Sequence, residues 1–192
     1  MSNKDSFFDG KNALVAGGTG NWNSTTNWSA TSGGASGASF PILGDDVIID
    51  AASANANLTV NVGSVCTTLT IANTHTGTLT VNQTLNVGGA CTLGSGMTIT
   101  TTSGTPVLVV SATGTLTSNG KTWPYAMQFT GATQTFTLAD NWTVNGTLTV
   151  GNGTTQTING NNLFATTNLT INSTGAVTGT TVFNLTGTGT WS

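Results

Sequence analysis

The chain has 192 residues, of which 43 are Thr and 26 Gly, against three Lys, six Asp, one His and neither Arg nor Glu. A net charge of −3 with no basic patch leaves nothing to neutralise phosphates, so nucleic-acid binding is not expected. So few titratable groups argue against acid–base catalysis, and no run approaches the ~18–20 apolar residues of a membrane span, so neither an enzyme nor membrane insertion is expected.

Thr is β-branched, packs on a pleated surface and keeps its hydroxyl in water, so a surface built from it in place of charge suits stacked strands. Residues 1–16, MSNKDSFFDGKNALVA, differ from the rest: they hold two of the three Lys and no Thr. Phe7, Phe8 and Leu14 cannot bury themselves within so short a segment, and the expectation is an anchor that docks on another protein. No apolar run of ~7–15 residues marks a secretory leader, so the expectation is a chain that assembles in the cytoplasm where it is made.

Residues 17–50 carry Trp22 and Trp28, a Gly/Ser/Ala loop over 32–39, Phe40-Pro41, and then Asp45-Asp46 before Val47-Ile48-Ile49-Asp50. Two tryptophans folding onto one surface predict a cap over the first apolar layer of a β-stack.

From residue 51 to 192 a period of two recurs. Leu58-x-Val60-x-Val62, Leu69-x-Ile71, Leu79-x-Val81, Leu85-x-Val87, Met97-x-Ile99, Phe136-x-Leu138, Trp142-x-Val144, Leu148-x-Val150, Leu169-x-Ile171 and Phe183-x-Leu185 place apolar side chains on one face and mostly Thr or Asn on the other. Gly, Asn and Ser separate the runs, and no segment shows an apolar stripe of helical period. Runs this short and numerous predict an all-β fold, a parallel β-solenoid, with a β-sandwich as the alternative. Residues 102–130 do not superpose on their neighbours.

Cys66 and Cys91 are the only cysteines. With coils of roughly 20–25 residues they would fall at similar places on successive coils, about 4.8 Å apart, a distance that permits a disulfide without requiring one, and in a reducing compartment they are expected to stay as buried thiols. His75 has no second His or neighbouring carboxylate in sequence, so it reads as a turn residue on a solvated corner, and neither a metal site nor a cofactor site is expected. Gly17-Gly18-Thr19-Gly20 lacks the Lys of a phosphate-binding loop. Asp45 and Asp50 could pair as in a glycoside hydrolase, whereas Asp140 stands alone. Lys121 beside Trp123 and Tyr125 forms a candidate glycan contact, weighed against a covering role for both rings over the core.

Several of these pieces together resemble tailed-phage structural proteins: Gly18-Thr19-Gly20-Asn21-Trp22, Asn27-Trp28-Ser29, Pro41 with Asp45-Asp46-Val47, Gly120-Lys121-Thr122-Trp123-Pro124, the run from Asp140 to Leu148, and Gly187-Thr188-Gly189-Thr190-Trp191. Bacterial surface adhesins share the Gly/Trp opening and the Thr-rich runs. The resemblance covers most of residues 17–192, and related chains usually continue past such a Gly-Thr-Gly-Thr-Trp segment, whereas this sequence stops at Ser192. It implies a virion-surface β-helical fibre or decoration protein with no catalytic residues, whose partners are other virion proteins of capsid or tail and a host surface glycan. A fibre role favours a homo-oligomer, a trimer above others. The alternatives are a bacterial adhesin or surface-layer component and a polysaccharide depolymerase.

Overall fold

The computed structural model describes residues 11–14, 19–151, 155–172 and 177–186. The fold is an all-β solenoid of stacked coils, and its only helical pieces among the described residues are two three-residue 3₁₀ turns, Thr25–Asn27 and Ala51–Ser53. In the coils before Thr100 the chain passes from a first sheet to a second and a third before returning. Asp46–Ile49, Leu58–Val60 and Ser64–Cys66 make one such circuit, and Thr68–Ile71, Thr78–Val81 and Leu85–Val87 make the next. Among the described residues the three sheets have nine, four and eight strands, and every pairing is parallel except that of Lys11–Leu14 with Trp28–Ser29.

Alternation explains why these short runs become strands. In Thr68–Ile71 and Thr78–Val81 the Leu and the β-branched aliphatic residue point inward while the two Thr face out. Strand partners stack like on like: Leu58 beside Leu79 and Val60 beside Val81. One continuous apolar core runs along the axis from Leu14 to Leu169, each fully buried Leu or Val stabilising it by roughly 1.5–3 kcal/mol relative to exposure. Val62 departs from the expected pattern, lying 38% exposed at a corner past the end of its strand.

Residues 102–130, which looked irregular in sequence, belong to the regular stack. Val107–Val110 pairs with Leu85–Val87 on one side and Ala126–Phe129 on the other. Its outward positions are Val107 and Val109, so no Thr alternation marks it, and only the pairing reveals the register.

Beyond Thr100 the cross-section changes. The four-stranded sheet ends at Thr98–Thr100, and in later coils a single nine-residue strand, Trp142–Val150, runs across the positions of two sides. Its first half pairs with Thr122–Trp123 and its second with Ala126–Phe129. The bend falls at Gly146, where the register against Leu163–Ile171 shifts between Val144 and Thr147. A Cβ there would lie 2.8 Å from the Tyr125 carbonyl carbon and 2.9 Å from the Ala126 nitrogen, so only glycine lets the two coils close. Aromatic rings fill these later coils: Phe129 stacks on Phe136 with centroids 4.4 Å apart, and Phe164 meets Phe129, Trp142 and Phe183.

Candidate functional site

The first coil buries the tryptophan pair. Trp28 donates its ring N–H to the Trp22 carbonyl at 2.6 Å, the two rings meet edge to face at 5.0 Å, and both are almost fully buried. Leu14 is 1% exposed in the same core, on a strand paired to Asp46–Ile49. Its expected anchor role is therefore corrected: Leu14 serves the solenoid, and residues 11–14 form the first strand of the stack. Phe7 and Phe8 lie outside the described residues.

The three candidate glycan residues do not form one exposed platform. Trp123 is wholly buried and donates its ring N–H to the Ala126 carbonyl at 3.1 Å, while Lys121 and Tyr125 are half-buried. Strand geometry is the reason, because Thr122–Trp123 turns Thr122 out and Trp123 into the core. The covering role weighed for Trp123 is the one it fills.

Asp5 and Asp9 lie outside the described residues, and the four described carboxylates are bound to the chain itself. Asp140 accepts from the backbone N–H groups of Ser118 at 2.8 Å and Asn119 at 2.6 Å. Asp50 caps the 3₁₀ turn by accepting from Ala52 and takes the Ser32 hydroxyl at 2.6 Å. Asp46 accepts the Thr68 hydroxyl, and buried Asp45 accepts the Ile42 backbone N–H. No group of three or more His, Cys, Asp or Glu that could hold a metal occurs among the described residues.

Amide side chains make equivalent bonds from coil to coil, a role that sequence reading, which took Asn for turn punctuation, missed. Asn57 accepts the Thr78 backbone N–H, Asn73 that of Ser95, Asn82 that of Thr102 and Asn141 that of Leu163, across 20 to 22 residues. Others donate: Asn119 to the Leu93 carbonyl and Asn162 to that of Leu138, each at 2.7 Å. At a corner the strand ladder is interrupted, and these bonds satisfy backbone groups that the turn would otherwise leave bare. The spacing of about one coil is the signal that could have revealed them.

His75 is 3% exposed, not a solvated turn residue. It packs against the backbone of Ala56, and Gly77 leaves room for it, since a Cβ at that position would lie 2.6 Å from the ring Nε2 and 2.8 Å from the Asn55 carbonyl oxygen. Nδ1 is buried with no hydrogen-bond partner. Burial lowers the His75 pKa from the usual histidine range, against opposing contributions from the Ala56 backbone bond and the charge of Asp50.

Both cysteines are buried thiols, but they do not stack on one another. Cys66 pairs with Val87 in the third sheet, whereas Cys91 pairs with Leu69 and Leu116 in the first. The expected coil-to-coil neighbour relation is corrected, because the coil joining Leu69 to Cys91 is shorter than the spacing of the two cysteines. Burial pushes the Cys91 thiol up to about 12 and raises that of Cys66 as well, with Cys91, Asp46 and Asp45 adding to the effect on Cys66. No protein-family model, curated protein or solved structure matches the chain.

Proposed function

We propose that the chain is a non-enzymatic structural protein of a phage particle, a fibre or decoration protein attached through its N-terminal segment and projecting the solenoid from the virion surface. The observation that carries the non-enzymatic part is the use of the four described carboxylates. Asp45, Asp46, Asp50 and Asp140 all accept hydrogen bonds from their own chain, the arrangement of a brace and not of an acid–base pair. Parallel ladders continuous from coil to coil resist bending, and a Thr and Asn surface stays hydrated without charge. The phage assignment is supported by the Gly/Trp and Thr-rich motifs of the sequence. Oligomerisation and contact with a host glycan belong to the same proposal.

The test is to purify particles by density gradient and label them with gold-conjugated antibody raised against the chain. Label on the particle surface supports the reading, and label on a bacterial envelope without particles replaces it with an adhesin. Deleting residues 2–10 spares the strand Lys11–Leu14, so the truncated chain should fold yet be missing from particles.

A further inference from the structure

The nine-stranded sheet displays a lattice of threonines outward. Thr70, Thr92 and Thr117 form one column across successive coils, Thr115 and Thr137 stand side by side, and Thr135, Thr157 and Thr178 form another column. Along the strands Thr68 and Thr70, Thr115 and Thr117, and Thr135 and Thr137 repeat two residues apart on the same side. The lattice therefore has repeats of about 4.8 Å along the axis and about 6.6–6.8 Å along each strand.

Three properties make this face a regular lattice, and the four-stranded sheet shares them over only five threonines, Thr59, Thr78, Thr80, Thr98 and Thr100. No register shift interrupts its ladder, and side-chain ladders of this kind favour a flat sheet. The threonines are stiff at χ1, which fixes where each methyl and hydroxyl lies, and the Thr157 and Thr178 hydroxyls meet at 2.9 Å. Among the described strands of the sheet from Thr68 onward none carries a charged residue, and their one aromatic residue, Phe136, points into the core.

A rigid two-dimensional repeat recognises a surface with a matching repeat better than any single small molecule. The hydroxyls supply donors and acceptors, and the methyls fill gaps between them without holding water in a competing arrangement. Ice offers a solid of hydrogen-bonded oxygens whose lattice spacings are close to both repeats, while liquid water has no lasting repeat to match. A crystalline polysaccharide is the rival solid, but flat sugar faces are recognised by exposed aromatic rings, which this sheet lacks. We propose that the threonine lattice of the nine-stranded sheet binds the surface of ice, a property independent of where the protein is assembled.

The experiment measures ice-recrystallisation inhibition, thermal hysteresis and partition into a slowly growing ice front with the full chain. Inhibition and enrichment in ice are expected. Thr115→Lys with Thr137→Lys, adjacent at the lattice centre, should abolish both, while Gln128→Lys with Thr149→Lys, adjacent in the mixed outward row of the eight-stranded sheet, should leave them intact. Circular dichroism melts confirm that each variant is folded. If the lysine pair unfolds the chain, Thr115→Val with Thr137→Val keeps the shape while removing two hydroxyls and should weaken inhibition. A wild-type chain without effect on ice overturns the proposal, as does a folded central variant as active as wild type. Retention on insoluble cellulose without activity on ice overturns it in favour of the polysaccharide.

Discussion

Asp140 holds Ser118 from one coil away: its Oδ1 accepts the Ser118 backbone N–H at 2.8 Å across 22 residues of sequence. The second carboxylate oxygen takes the N–H of Asn119, and the Ser118 hydroxyl donates back to the Asn141 carbonyl, so the corner is locked in both directions. Ser118 is fully buried, and no water reaches the group that Asp140 satisfies.

Asp140→Ala should therefore destabilise the solenoid by about 1–3 kcal/mol, the cost of leaving a buried donor bare. Asp140→Asn keeps one acceptor oxygen and should cost less. Urea unfolding followed by tryptophan fluorescence measures both. Equal stability of Asp140→Ala and wild type would show that the corner bonds contribute nothing.

Trp123→Ala should cost about 3–5 kcal/mol, as expected for an aromatic ring removed from a packed core. A ring serving only to stack on sugar would leave the unfolding midpoint unchanged. The same denaturant titration decides, with Tyr125→Ala, at a half-buried position, as the milder comparison.

The legible part of this fold was its alternation. Leu69-x-Ile71 and Leu79-x-Val81 announce strands because Thr fills the outward positions, and the solenoid follows from many such runs. Where Val107 and Val109 stand outward the contrast vanishes, and the coil through Val107–Val110 could not be read. The corner bonds were illegible for another reason: Asn73 accepting from Ser95 and Asn119 donating to Leu93 join residues a coil apart, and the same residue types serve ordinary turns. Burial of His75 likewise depends on Gly77 and on the Ala56 backbone of the preceding coil, which no local motif encodes.

The thiols of Cys66 and Cys91 should resist iodoacetamide in the folded protein and react only as fast as the chain unfolds. Both are fully buried and their pKa values are raised, so almost no thiolate is presented to solvent. Their reactivity should rise in step with the urea transition, and reductant should not change that transition. A midpoint that falls on reduction would mean that the two are bonded in solution.

The His75 corner should make stability fall on mild acidification. In the folded chain burial depresses the His75 pKa below the usual ~6.5, so between that value and the folded one the unfolded chain binds more protons. The contribution is fully present above about pH 6.5 and is lost as pH drops towards the folded value, with a slope of at most ~1.4 kcal/mol per pH unit for one proton. Protonation places a charge in a site where Nδ1 has no acceptor, and the negative charge of Asp50 offsets only part of that cost. His75→Gln cannot titrate and should flatten the dependence, while Gly77→Ala, which drives a methyl against the His75 ring and the Ala56 carbonyl, should lower stability at every pH. Urea midpoints for wild type and both variants at about pH 7.5, 6 and 5 measure this. A wild-type midpoint that stays constant over that range, or a His75→Gln profile parallel to wild type, would rule out the histidine as the source.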